Sequence, residues 1–330
     1  MPEFDLAAYA GTAPWKGAGT VIPENSTGHE AMVTAGLNWD VETAKIVTND
    51  QKRTSVDDYR VTRRIQDNTI LGIVGQRYKP IQNRDAFGLF DGVVRQGRIG
   101  YTAAGEMRGG SRVFIVAKLP GVLEVGKGVG DVDLVERYLL LSNAHDGTRP
   151  LQMVFTPVRV ECENTLNMAL SIRKADKVTK LAPRVRIHHT EKAALLMKEA
   201  EKTMGKALAY YEKFGEFAGF MYGKQLGTAA VRNIVAEVFP PNKQKETTPT
   251  IAHHRNEVER LFVDGKGHEK IAGSAWALVN AFAEYADHGL APKRAVKTKD
   301  AADRSYSIWM GGALGIKQRA NTVISEAVMA

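Results

Sequence analysis

The chain has 330 residues, 44% hydrophobic and 25% charged, with a formal net charge of +8 and a pI near 9.4. Such values suit a globular protein of one large or two ordinary domains, and the basic balance favours polyanionic partners, nucleic acid first. One cysteine, Cys162, excludes an intrachain disulfide and a Cys-rich zinc site. No apolar stretch nears the roughly 20 residues of a membrane span, and the N-terminus lacks the pattern of a signal peptide, so the expectation is a cytoplasmic protein without membrane contact.

In chain order, residues 1–37 read as an irregular N-terminal arm, with Pro14-Trp15 among Gly11, Gly17 and Gly19 and Trp15 as its anchor. Residues 38–185 read as an α+β core and candidate nucleic-acid-binding domain. "WDVETAKIV" alternates, and "DYRVTRRI" and "TILGIVG" flank a hairpin turn at Gln66-Asp67-Asn68. The period then changes. Ile81, Phe87, Phe90 and Val94 share a helical face, with Asn83 as N-cap. "RIGYTAAGEMRGGSRVFIVAKLPG" reads as strand, turn at Gly109-Gly110, strand, and "VERYLLLSN" and "LQMVFTPVRVEC" form a second pair. Leu151, Met153 and Phe155 share one parity while Val158, Val160 and Cys162 share the other, so a bulge or an edge position is expected at Thr156-Pro157. "ENTLNMALSIRKA" opens a helix.

Residues 186–330 read as a helical domain. Apolar positions at 193, 197, 200, 204, 207, 211, 214, 218 and 221 predict one long amphipathic helix, with Thr190 as its cap. Further helices follow in "GTAAVRNIVAEVF", "NEVERLFV" and "AGSAWALVNAFAEYADH", with a mobile loop near 240–252 and a last helical segment. The fold class is therefore α+β: a β-rich N-terminal part with a helix between antiparallel hairpins, then an α-helical C-terminal part.

The chemistry-bearing residues point mainly to phosphate contact. His145-Asp146 within "NAHDGTRP" could serve a phosphodiesterase as general base and orienting carboxylate, but adjacent residues seldom orient each other in that way. Asp146-Gly147 between two apolar runs is a turn signal. It places His145 at a projecting hairpin tip, as a contact to a phosphate backbone, and Arg149 at the start of the return strand. Paired histidines at 188–189 and 253–254 are poor chelates, and no nucleotide loop is present, so no metal or cofactor is expected. Cys162 reads as a small buried residue. Arg173, Lys174, Lys177, Lys180, Arg184 and Arg186 form a basic run against Asp176 alone, and Arg108, Arg112, Arg149 and Arg159 add cations from the β-region. Tyr101 and Phe114 are possible stacking surfaces. The other reading of the 173–186 run is a solvated helix end and linker.

"YAGTAPWKGAGT", "VGQRYKPIQNRDAF", "GGSRVFIVAKLPG", "LLLSNAHDGTRPLQMVFTPVRVECENTLNMAL" and "GSAWALVNAFAEYADH" together resemble the phage/plasmid-like family catalogued as a domain of unknown function. The resemblance implies a protein of bacterial phages and mobile elements and supplies no activity, cofactor or catalytic residue. The order of helix, two hairpins and helix is also similar to the core of single-strand annealing proteins of the Red-beta, Erf and RecT type. That resemblance implies a basic groove for single-stranded DNA and a homo-oligomeric ring or filament, with Arg149, Arg159, Arg173 and Lys174 on the groove-forming elements. The resulting expectation is a DNA-binding annealing or recombination protein without nucleotide hydrolysis. The alternatives are the His145/Asp146 enzyme and a structural or anti-defence protein with a host or phage protein partner.

Overall fold

A computed structural model of the chain describes residues 7–9, 20–23, 26–95, 100–128, 130–159, 170–174, 177–181, 184–203, 205–242, 244, 247–289 and 312–329. Alternating segments at the N-terminal end form an antiparallel meander of β3 (Val41–Val47), β4 (Ser55–Arg64) and β5 (Ile70–Gly75). The expected turn between β4 and β5 is present. Asn68 takes a left-handed φ of 61° there, which asparagine tolerates, and the Asp67 carboxylate accepts the Thr69 N–H at 2.9 Å.

Helix α2 (Asn83–Arg95) follows. Its first carbonyl acceptor is Gln82, which receives the Ala86 N–H at 3.0 Å, so Gln82 and not Asn83 occupies the cap position. The Gln82 amide is itself engaged: its oxygen accepts from the Val41 N–H and its nitrogen donates to the Val41 carbonyl, both at 2.8 Å. Asn83 is buried and bonds elsewhere, because a long-range partner outcompetes its local capping role.

The main sheet has the order β12-β9-β8-β7-β6-β1-β2. Its centre is an antiparallel run of β6 (Gly100–Met107), β7 (Arg112–Val125), β8 (Asp133–Ala144) and β9 (Leu151–Arg159). β12 (Arg184–Ile187) pairs with β9, and the expected domain boundary at residue 185 falls inside it. At the opposite edge β1 (Ala7–Tyr9) pairs antiparallel with β6, and β2 (Thr20–Val21) lies parallel to β1. The region expected as an arm thus contributes two short strands; Trp15 lies outside the described residues. β10 (Leu170–Lys174) and β11 (Lys177–Leu181) form a separate hairpin. The helix expected from Glu163 is therefore a strand over 170–174, while residues 160–169, with Cys162, lie outside the described set.

β8 and β9 keep an unbroken register from Val135↔Arg159 to Ser142↔Gln152. No bulge occurs at Thr156-Pro157. β12 covers only Leu151 to Val154, so among the described residues Pro157 lies on an unpaired outer stretch of β9, where its missing N–H is harmless. The parity change needs no bulge because residues 151–158 are all buried. A sheet covered on both faces carries continuous apolar runs.

One face of this sheet, with Val113, Ile115, Leu139, Leu141, Met153 and Phe155, joins a core cluster that continues into the helices. These are α1 (Gly28–Thr34), α3 (Ala193–Thr203), α4 (Gly205–Tyr222), α5 (Thr228–Val238), α6 (Pro249–Asp264), α7 (Ala275–Glu284) and α8 (Gly312–Met329). The long helical pattern thus occupies α3 and α4; Met204 between them lies outside the described residues. Thr248 caps α6, accepting from the Ile251 N–H at 3.3 Å with Pro249 next, so the expected loop ends at Thr248 rather than 252. Buried polar contacts fasten α4 and α7 to the sheet. The Tyr211 hydroxyl donates to the Tyr138 carbonyl at 2.5 Å, and Trp276 Nε1 donates to Asp133 at 2.7 Å. Among the described residues no helix is long and apolar enough to cross a membrane.

The three-stranded meander and the main sheet meet where β5 packs against the β8–β9 turn. A Cβ on Gly72 would lie 2.6 Å from the Asp146 Cα, a backbone approach that only glycine allows. Gly72→Ala is expected to destabilise the fold by about 1–3 kcal/mol. Urea denaturation checks this as a lower midpoint with an unchanged m-value.

Candidate functional site

The turn joining β8 to β9 is built from its own sequence. Gly147 takes a left-handed φ of 71°, and one Asp146 oxygen accepts the Thr148 N–H at 2.9 Å. The other Asp146 oxygen lies 3.2 Å from Arg112 Nη2, which also donates to the Thr148 hydroxyl at 2.9 Å. The Asp-Gly turn signal is thus realised, with an arginine from β7 locking it.

His145 does not project. Its side chain is 0% exposed, and this corrects its placement at an exposed tip. Its N–H donates to the Ser111 carbonyl and its carbonyl accepts from the Thr62 hydroxyl, both at 2.7 Å. Nε2 lies 2.9 Å from Asn83 Oδ1, and the Trp39 ring stands edge-on at 5.3 Å. Asn83 Nδ2 donates to the Leu37 carbonyl at 3.0 Å, so Oδ1 is the acceptor and His145 carries its proton on Nε2. Burial, then His189 and Arg64, push the His145 pKa down to about 3.

His189 repeats the pattern. It stacks on Tyr78 at 4.7 Å, its Nδ1 accepts the Ile81 N–H at 3.3 Å, and burial pushes its pKa down to about 4. The Tyr78 hydroxyl donates to the Ala144 carbonyl at 2.9 Å, the Lys79 N–H to the His189 carbonyl at 3.0 Å, and Asn143 Nδ2 to the Ile81 carbonyl at 2.9 Å. Three separated segments, 76–83, 143–148 and 188–190, are thereby tied into one buried junction. His145 and Asp146 are held by separate partners: Asn83 holds the first, and Arg112 and Thr148 hold the second. This geometry does not supply the oriented histidine that general-base catalysis needs.

Above the junction lie two clefts. The smaller, of about 480 Å³, is lined by Arg108, Arg112, Thr148, Arg149, Pro150, Gln152 and Arg186. The larger, of about 1130 Å³, runs from Gly75–Lys79 across Gly147–Pro150 to His188–Lys192, with Asp58 beside it. Four of the arginines singled out from sequence therefore come together. Arg108, Arg149 and Arg186 are exposed; Arg112 is only 5% exposed and acts through the turn. Arg108 opens a left-handed turn with φ of 56°, followed by Gly109 at 62° and Gly110 at 84°. An arginine in that region is uncommon. It is the kind of strain that collects at functional sites.

Other expected contacts fall elsewhere. Tyr101 is 3% and Phe114 4% exposed, which removes both as stacking surfaces. The Tyr101 hydroxyl bonds Asp91, which also accepts the Gly28 N–H at 2.8 Å, so Tyr101 locks α1 and α2 onto β6. The strands carrying Arg159, Arg173, Lys174, Lys177, Lys180 and Arg184 are described but their side chains are not; Lys174 stands opposite Lys177 in the β10–β11 register. The larger cleft adds Arg77, Lys79 and Lys192. In sequence, only the "RYK" of 77–79 could have signalled them, and it sits in a connection without periodicity. Among the described residues no group of three or more His, Cys, Asp or Glu is placed to hold a metal ion.

Fold and surface together define an α+β protein with an arginine-lined cleft built on a buried hairpin junction. The family described as "Domain of unknown function (DUF932)" matches residues 70–309, and the chain belongs to that family. The match begins at the first residue of β5 and takes in the arginines of both clefts. Comparison with curated proteins and with solved structures gives no match.

The two histidines set a pH response. Both are held neutral in the fold, whereas the unfolded chain protonates them near 6.5. Their depressed pKa values mean that stability is full above about 6.5 and declines as pH falls toward about 4, because the unfolded state takes up more protons. Each histidine contributes about 1.4 kcal/mol per pH unit in that window. Urea unfolding between about pH 7 and pH 5 should show this slope, reduced in His189→Gln; a flat profile would contradict it.

Proposed function

We propose that this protein binds single-stranded DNA at the arginine-lined cleft, as a DNA-binding protein of phages or mobile elements that acts in strand annealing or recombination without nucleotide hydrolysis. One observation carries the reading: Arg108, Arg149 and Arg186, from three separate segments, line a single cleft, and among the described residues its lining holds no carboxylate. Guanidinium groups match phosphate oxygens in a planar fork. Several cations along one groove bind a polyanion by releasing its counterions. The net charge of +8 works in the same direction at longer range. Assembly into rings or filaments belongs to the same proposal. A phosphodiesterase working through His145 and Asp146 finds no support, since the histidine is buried and held by Asn83.

Fluorescence anisotropy with a labelled single-stranded oligonucleotide, over a salt series, tests the reading. Wild type should bind at low salt, with log affinity falling linearly against log salt. Arg149→Ala/Arg186→Ala should weaken binding and flatten that slope by about 1.4, two phosphate contacts at about 0.7 each. Mixing labelled complementary strands should show faster annealing with the wild type than with this variant. Absence of binding at low salt would sink the proposal.

A further inference from the structure

The larger cleft also gathers cations. Arg77 and Lys79 come from the connection after β5, Lys192 from the turn before α3, and Arg149 from the hairpin tip. All four are exposed. Two carboxylates, Asp58 and Glu191, share the lining. Glu191 lies 3.7 Å from Lys79, with the two side chains 83% and 56% exposed, so this pair is weak and can open to a competing phosphate.

Two observations join the clefts, and a third fixes the lining of the larger one. Thr148, Arg149 and Pro150 line both, which puts Arg149 at the boundary between them. The chain also runs directly from one to the other: Arg186 on β12 lines the smaller, and His188 to Lys192 follow into the larger. Finally, the lining of the larger cleft is braced by its own contacts. Lys79 is bonded through its N–H to the His189 carbonyl at 3.0 Å, and Tyr78 lies stacked on His189 at 4.7 Å. At about 1130 Å³ the larger cleft alone exceeds the usual small-molecule pocket of about 300–1,000 Å³, and with the smaller one it offers a basic track of the kind that follows a nucleic-acid backbone.

We propose that the larger cleft is a second phosphate-binding subsite, continuing the path of the single strand past Arg149 to Arg77, Lys79 and Lys192. This inference rests on the single-stranded DNA reading of the smaller cleft. The phosphates that leave Arg108 and Arg186 are received by the next three cations, and Arg149 serves both halves.

The test compares thymidine oligonucleotides of about four and about twelve nucleotides, within the range of single-strand site sizes. Arg77→Ala/Lys79→Ala/Lys192→Ala is measured beside Arg77→Lys/Lys79→Arg/Lys192→Arg, which keeps the charges. The alanine variant should bind the longer oligonucleotide more weakly, with a salt slope flatter by about 2. It should bind the shorter one as wild type does, and the charge-keeping variant should restore the longer. The inference is overturned if the alanine variant binds the longer oligonucleotide like wild type, loses both lengths equally, or is matched in weakness by the charge-keeping variant. If wild type binds neither length, the single-stranded DNA reading itself has failed and takes the subsite with it. Loss confined to the alanine variant's longer oligonucleotide separates the two cases.

Discussion

The hydrogen bond between His145 Nε2 and Asn83 Oδ1, 2.9 Å long, joins residues 62 positions apart in a fully buried place. It fixes the start of α2 against the end of β8. Both partners are neutral, so the contact avoids the large desolvation penalty of a buried charge, yet each loses its hydration and must find its partner in the fold. That requirement is directional. It allows one placement of α2 on the sheet, where apolar packing alone would allow several. Thr62 and Ser111, bonded to the His145 backbone, extend the constraint to β4 and to the β6–β7 turn.

The surface inherits its order from this junction. With His145 anchored, Asp146 sits against Gly72 and reaches Arg112 and Thr148. The turn is then closed, and Arg149 leaves it in a set position beside Arg186 of the neighbouring β12 and Arg108 of the β6–β7 turn. No arginine of this group is next to another in sequence. The cleft exists because sheet register and a buried polar network bring distant cations together, and a pre-set arrangement loses less entropy when a polyanion binds.

Much of this was legible in the sequence. The alternating segments, the turns at Gln66-Asp67-Asn68 and Asp146-Gly147, and the change to helical period near residue 190 follow from side-chain periodicity and turn chemistry. Arg108, Arg112, Arg149 and Arg186 stood out by charge and do converge. The failures at Tyr101, Phe114, His145 and Asn83 share a cause, which is tertiary burial. Tyr101 and Phe114 occupy a sheet covered on both faces, and parity cannot say which side faces solvent when neither does; His145, in the turn after β8, is covered by Trp39 and Asn83. Asn83 has the chemistry of a cap, but His145 and Leu37 claim its amide. The strand at 170–174 hid in a helical pattern because its pairing partner, 177–181, is a local hairpin arm, Lys-Val-Thr-Lys-Leu, with little apolar alternation of its own. Arg77 and Lys79 carried no periodic signal, since connections have none, and only folding sets them opposite Lys192.

The most direct test of the account is hydrogen exchange, followed by mass spectrometry, on the full chain with and without a single-stranded oligonucleotide. The account predicts slowed exchange in three separated segments, 108–110, 146–150 and 186–192, with the helices α5 to α8 unchanged. Protection confined to those helices, or absent throughout at low salt, would contradict it.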